Sequence, residues 1–235
     1  MWNGVQKFQN PNVRVKLFQN LIPLANHADE RTQFSVAPSS IFAGMKFLIV
    51  GLGNAGAEYA HTRHNIGFDV VAAFVQKHGE QFKTDRLAYT ASVRWKGRQF
   101  VCICPTTFMN LSGKAVKYWM DKEKAELKNM LVVVDELALP LTKLRLRGGG
   151  SDAGHNGLKS IHEALGTTEY PRLRFGIGSN YPKGRQVDFV LGKWQAEEMP
   201  LVKAKIDKAV EAIELFATAG INNTMTEINK LEIAL

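Results

Sequence analysis

Residues 47–68 read FLIVGLGNAGAEYAHTRHNIGF. Four apolar residues, Phe47 to Val50, run straight into Gly51, Gly53 and Gly56, a G-x-G-x-x-G after a predicted strand. A dinucleotide site asks for more than three glycines. The third should lie in a helix that packs closely on its strand and aims its N-terminus at pyrophosphate. Here AEYAHTRHNIG follows Gly56, polar and without a steady apolar face. An acidic residue about 20 positions on, at the end of a second strand, should read the ribose. That region reads instead as a helix and then a hairpin. The glycines are better explained as a tight turn that exposes backbone and steers Asn54 outward.

Downstream, apolar residues at Ile66, Val70, Ala73 and Phe74 have helical spacing, predicting a helix over 66–78. Residues 89–95 and 98–104 flank Lys96-Gly97 and predict a hairpin, so the sheet is mixed. Ser112 is placed to cap a helix running to Met120. Residues 131–134 form a continuous apolar strand, and 141–147 alternate as a half-exposed one. A short helix is expected over 158–165 and a strand over 172–177. Pro200 stands where a helix could begin, and 201–218 are amphipathic. Strands interleaved with helices predict an α/β fold: a single domain, its mixed twisted sheet flanked by helices.

The N-terminal residues differ. Residues 1–44 mix Asn, Gln, Ser and Pro with short apolar stretches, whereas Met45 opens directly on KFLIVGLG. They read as an N-terminal extension, or as the product of a start codon set upstream of Met45, with the domain spanning 45–235.

With 235 residues and 45% hydrophobic content, the chain can bury a sizeable core. Its net charge of +8 suits a polyanionic partner such as nucleic acid. Two cysteines, Cys102 and Cys104, face the same way on one strand. They do not make a disulfide framework, and they fit the reducing cytoplasm. No apolar run reaches membrane-spanning length, and the start has no secretory pattern.

Three further loops follow predicted strands and carry small polar residues. PTTFMNLSG spans 105–113, VVVDEL spans 132–137 and GGGSDAGHNGLKS spans 148–160. In open α/β sheets, ligands sit in the crevice beyond the carboxyl ends of the strands. Among these residues no zinc-type histidine or cysteine pattern occurs, and no G-x-S-x-G elbow.

Taken in order, VGLGNAGAEYAHTRHNIGF, PTTFMNLSGKAV, VVVDEL and GHNGLKSI resemble the bacterial peptidyl-tRNA hydrolase family. The resemblance covers about residues 45–230, and FGIG and VDFVLGKW add to it. It implies a monomeric cytoplasmic esterase, without cofactor or metal. Such an enzyme cuts the ester between a peptide and the terminal ribose of tRNA, so that prematurely released peptidyl-tRNA is recycled. The family's catalytic histidine falls on His64 and the aspartate orienting it on Asp135. Asn110, beside Met109, matches the asparagine credited with orienting the reacting centre. Asn54, Tyr59 and Asn156 match residues of the same crevice, and Phe108 and Met109 offer apolar surface to a base or side chain. Lys143 and Arg145, after the VDEL strand, resemble the residues that clamp tRNA phosphates. Two departures are visible: Ala55 stands where the family usually has proline, and Ser151-Asp152 interrupt the glycine loop.

Blander roles stand beside these. Asp135 could cap a loop, Asn110 could cap the following helix with Ser112, and Tyr59 could be packing. His155 could bond within its own loop, and His61 could simply be exposed. The basic strand face of Lys143, Arg145 and Arg147 could be merely solvated. An RNA-binding relative without turnover would keep the fold and lose the chemistry.

Overall fold

The computed structural model describes residues 45–234, so the expected N-terminal extension lies outside the described residues. Seven strands are present: β1 (Lys46–Gly51), β2 (Lys83–Asp85), β3 (Ala88–Trp95), β4 (Arg98–Pro105), β5 (Met130–Glu136), β6 (Leu144–Arg147) and β7 (Arg172–Gly176). They form one sheet in the order β2-β3-β4-β1-β5-β7-β6. The centre, β4-β1-β5-β7, is parallel. Both flanks are antiparallel, β2-β3-β4 on one side and β6 against β7 on the other.

Five α-helices accompany the sheet: α1 (Ile66–Lys77), α2 (Ser112–Glu123), α3 (Asn156–Leu165), α4 (Gln186–Val190) and α5 (Met199–Lys230). Alternation along β1 divides the core. Phe47 and Ile49 join the cluster built with α1 and α5, and Leu48 and Val50 join the one built with α2 and α3. A central strand covered on both faces is therefore apolar from Phe47 to Val50. Each of these side chains contributes about 1.5–3 kcal/mol by leaving water.

Two glycines set the distance between α1 and the sheet. A Cβ on Gly51 would lie 2.4 Å from the Gly67 carbonyl oxygen, and one on Gly67 would lie 2.5 Å from the backbone of Leu52 and of Val133. The first turn of α1 thus rests directly on strand backbone. The glycine turn serves close helix–sheet contact rather than a pyrophosphate. After Gly56 comes only a three-residue 3-10 turn, Ala57–Tyr59, and α1 starts later, at Ile66.

The elements depart from expectation at several points. The strand expected over 141–147 is shorter, because a turn intervenes. Lys143 N–H donates to the Pro140 carbonyl, and the Leu141 carbonyl accepts from the buried Lys205 Nζ on α5. Ser112 does not cap α2. It is the helix's first residue, and its hydroxyl faces Met109 Sδ at 3.9 Å. The last helix runs past 218 to Lys230, broken at Gly220, where φ is +78°. At the β6 edge, Asn229 of α5 acts as a substitute strand. Its Oδ1 accepts from Leu146 N–H at 2.7 Å and its Nδ2 donates to the Leu146 carbonyl at 3.1 Å. Among the described residues no helix is long and apolar enough to cross a membrane.

Candidate active site

The loops singled out in the sequence leave the carboxyl ends of β1, β4 and β5, and a fourth leads into the N-terminus of α3. They meet over the centre of the sheet. His64 sits in a 3-10 turn, Arg63–Asn65, that feeds α1. Asp135 is the penultimate residue of β5 and is 6% exposed. His64 Nδ1 lies 3.1 Å from both carboxylate oxygens of Asp135. An ionised carboxylate only accepts, so the His64 proton is on Nδ1 and Nε2 is left as the basic nitrogen.

Asp135 has a second histidine partner. His155 Nε2 is 3.0 Å from Asp135 Oδ1, and the two imidazole centroids are 4.8 Å apart. The other ring nitrogen of His155, Nδ1, accepts from Gly157 N–H at 3.1 Å and Leu158 N–H at 3.4 Å, capping α3. The loop role expected of His155 is present, together with a bond to Asp135 that the sequence did not indicate. These bonds fix its tautomer: Nδ1 accepts and Nε2–H donates.

Electrostatics follow from this geometry. Burial, the largest influence on His64, pushes its pKa down, but the charge of Asp135 and the hydrogen bond to it outweigh burial and hold it above 6.5. Burial likewise pushes Asp135 up. The fields of His155 and His64 and their hydrogen bonds win, holding the carboxyl well below the usual carboxylate range.

His64, Asp135 and His155 offer three potential ligand atoms within 4.8 Å of one another. The set is a poor metal site for a chemical reason. A ligating histidine donates its second ring N–H to an acceptor, whereas the second nitrogen of His155 is already accepting from two backbone N–H groups.

Asn54 ties two loops together. Its Oδ1 accepts from Met109 N–H at 3.1 Å, so its amide NH2 is the end left for a ligand. Asn65, buried beside His64, holds the backbone of Asn54. It accepts from Asn54 N–H and donates to the Asn54 carbonyl, both at 2.9 Å. Sequence reading passed over Asn65, whose only signal was its place beside His64 in the quoted TRHN. Asn156 is exposed at the first position of α3 and lines the cavity with His64 and His155. Met109 is buried, whereas Asn110 and Phe108 are exposed on the neighbouring turn, Phe108 by 74%. Asn110 does not line the cavity that holds His64. Tyr59 is half-buried in its turn, with its carbonyl accepting from Thr62. His61 is not merely exposed, since its Nδ1 is 3.2 Å from the buried Asp69.

The far wall of the cavity is apolar: Leu137, Val187 and Val190, the last two from α4. Glu136 and Ala153 also border a second depression of about 330 Å³ that contains Arg145, Arg147 and Arg174. Arg145 and Arg147 are exposed on β6. Lys143 lies outside the strand and is turned away, paired with Glu232 at 2.8 Å and bonded to the Leu231 carbonyl. Ser151-Asp152 shape the loop between the two depressions. Arg172 and Arg174 both donate to the Ser151 carbonyl, and Asp152 accepts from Gly154 N–H at 2.8 Å.

A crevice at strand ends, with a carboxylate-oriented imidazole, an apolar wall and an adjoining arginine-rich depression, defines a hydrolytic site suited to a polyanionic substrate. The family model for peptidyl-tRNA hydrolase matches residues 48–234. The chain is 52% identical over 186 residues to a peptidyl-tRNA hydrolase of Phocaeicola vulgatus, covering 79% of this chain and all of that protein. It is 53% identical to that of Parabacteroides distasonis, covering 79% and 99%. The crystal structure of the Acinetobacter baumannii peptidyl-tRNA hydrolase superposes with a TM-score of 0.76 at 34% identity, covering 82% of this chain and 98% of that one. The chain belongs to the peptidyl-tRNA hydrolase family.

Proposed function

We propose that this protein hydrolyses the ester joining a peptidyl, or N-acyl-aminoacyl, group to the terminal ribose of tRNA, and that His64 is its general base. The observation that carries the assignment is the 3.1 Å contact of His64 Nδ1 with both Asp135 oxygens. His64 Nε2 takes a proton from water as the water oxygen bonds to the ester carbonyl carbon. Asp135 holds the tautomer and stabilises the imidazolium that results. When the tetrahedral intermediate collapses, the carbon–oxygen bond to the ribose breaks and the proton passes to the departing ribose oxygen. Positioned proton transfer of this kind contributes about 10²–10⁴-fold.

Asn54 presents NH2 and Asn156 a whole carboxamide, groups that can bond a peptide backbone or a ribose regardless of side chain. Asn110, exposed on the Met109–Leu111 turn, takes part by donating to carbonyl oxygen once substrate brings that oxygen to it. Arg145, with Arg147, holds tRNA phosphates, which positions the RNA without reading its sequence, while Arg174, paired with Glu136 and bonded to the Ser151 carbonyl, contributes field. Lys143 contributes field rather than contact. Tyr59 and Phe108 supply surface for the terminal base or the peptide, whereas the apolar surface expected of Met109 is buried in the structure. The enzyme works as a monomer in the cytoplasm, which suits its buried free thiols. The test is incubation of purified protein with N-acetyl-aminoacyl-tRNA and measurement of released tRNA. Tight tRNA binding without release would make the protein an RNA-binding relative instead.

A further inference from the structure

Arg63 immediately precedes the catalytic histidine, yet its side chain serves another part of the chain. It is 5% exposed. Its guanidinium donates to the Lys193 carbonyl at 2.7 Å and to Glu198 Oε2 at 2.6 Å. It lies over the rings of Phe189, at 4.5 Å, and Trp194, at 5.0 Å. Its backbone N–H donates to the Gly192 carbonyl, and the preceding Thr62 forms a β-bridge with Lys193. Glu198 is held in turn by Gln195 N–H at 2.7 Å.

These contacts converge on α4 and the residues just after it. A five-residue helix has no stability of its own, and α4 has no fully buried residue. Phe189, its main apolar anchor, packs against Arg63 and against Tyr181, whose ring centroid is 4.9 Å away. From this helix Val187 and Val190 form the cavity wall facing His64. One short segment, Thr62–His64, therefore holds the base at one end and the wall at the other.

We infer that Arg63, with Glu198 as its counter-ion, is a positioning residue that sets the α4 wall against the catalytic histidine and so governs how tightly the acyl side of the substrate is held. This rests on the hydrolase reading above. A guanidinium is suited to the task, because it can stack on two aromatic faces while its N–H groups bond in-plane to a carbonyl and a carboxylate. Loss of the clamp leaves the His64–Asp135 contact, which shares no partner with the Arg63 side chain, in place.

The experiment compares wild type with Glu198→Gln, Phe189→Ala and Arg63→Lys, using steady-state hydrolysis of N-acetyl-aminoacyl-tRNA and amide hydrogen exchange. The expected result is a KM raised about tenfold with kcat within about twofold, the pattern of lost uniform binding. It should be accompanied by faster exchange at Phe189, Leu191 and Gly192 and unchanged exchange in β1 and β5. Glu198→Gln is the mildest change and retains a fold if Arg63→Lys does not. An unchanged KM in folded variants overturns the inference, as does a fall in kcat with KM constant. If wild type itself fails to hydrolyse the ester, the reaction assignment fails. The exchange data then decide the clamp alone, and wild-type exchange rates in the variants overturn it.

Discussion

Asn65 grips the peptide backbone of Asn54 from both sides, accepting its N–H and donating to its carbonyl, each at 2.9 Å. The residue next to His64 thereby sets a residue of the glycine turn, which in turn holds Met109 through Oδ1. Asn65→Asp keeps the shape but removes the donor to the Asn54 carbonyl. It is expected to cost about 1–3 kcal/mol of stability and to lower kcat/KM. Denaturant unfolding together with the hydrolysis assay measures both, and wild-type values in each would show that Asn54 is set by other means.

Replacing His64 by alanine removes the base but leaves the arginines of the second depression untouched. Turnover is expected to fall by about 10²–10⁴-fold while tRNA affinity stays near that of wild type. A filter-binding measurement beside the rate assay separates the two, and full activity in His64→Ala would remove the histidine from the mechanism.

If His64 is the base, it works only when neutral, so kcat/KM should rise with pH through its pKa, which Asp135 raises against burial, and level off beyond it. Asp135→Asn leaves burial unopposed. The inflection should then move to lower pH and the plateau should drop. An inflection that does not move would contradict the assigned coupling.

Linkage adds a stability counterpart. A raised His64 pKa stabilises the fold fully below the unfolded value and loses that contribution as pH rises through the folded one. The depressed Asp135 pKa stabilises above the ordinary carboxylate value, and that contribution is lost as pH falls through its folded value. The gap in unfolding midpoint between wild type and Asp135→Asn should therefore widen as pH falls through the His64 pKa and close only as pH falls below the ordinary carboxylate range. A gap that is constant with pH would argue against the coupling of His64 to Asp135.

If Arg145 and Arg147 hold phosphates, the logarithm of tRNA affinity should fall linearly with the logarithm of salt concentration. Each neutralised arginine should then reduce that slope by about 0.7–0.9. Lys143→Gln should change it much less, since that ammonium is engaged by Glu232 and the Leu231 carbonyl. Affinity that is flat in salt would exclude the phosphate role.

Features set by local chemistry were readable in the chain. The buried strand at Phe47, the hairpin around Lys96-Gly97 and the helix from Ile66 all depend on near-neighbour patterns, and the structure contains each. His64 and Asp135 came from their motifs, and their contact is realised. What escaped notice depends on distant partners. The alternation at 141–147 could not reveal that Lys205, more than 60 residues on, would take the Leu141 carbonyl and turn the chain away from the strand. Nor could it show Lys143 folding toward the C-terminal residues. β2 is three residues long and mostly exposed, and α4 has no buried side chain, so neither carries an apolar signature. His155 was read within its own loop because its bond to Asp135 spans two elements, and Asn65 because it acts on backbone rather than through a motif.

The carboxamide of Asn229 on Leu146 closes one flank of the sheet, and the opposite flank ends in the short, charged Lys83–Asp85 strand. Both margins are thus unsuited to recruiting a strand from another molecule. Shortening the final helix so that Asn229 is lost would expose the peptide groups of Leu146, and the protein would acquire a tendency toward ribbon-like self-assembly that the intact chain suppresses with a single side chain.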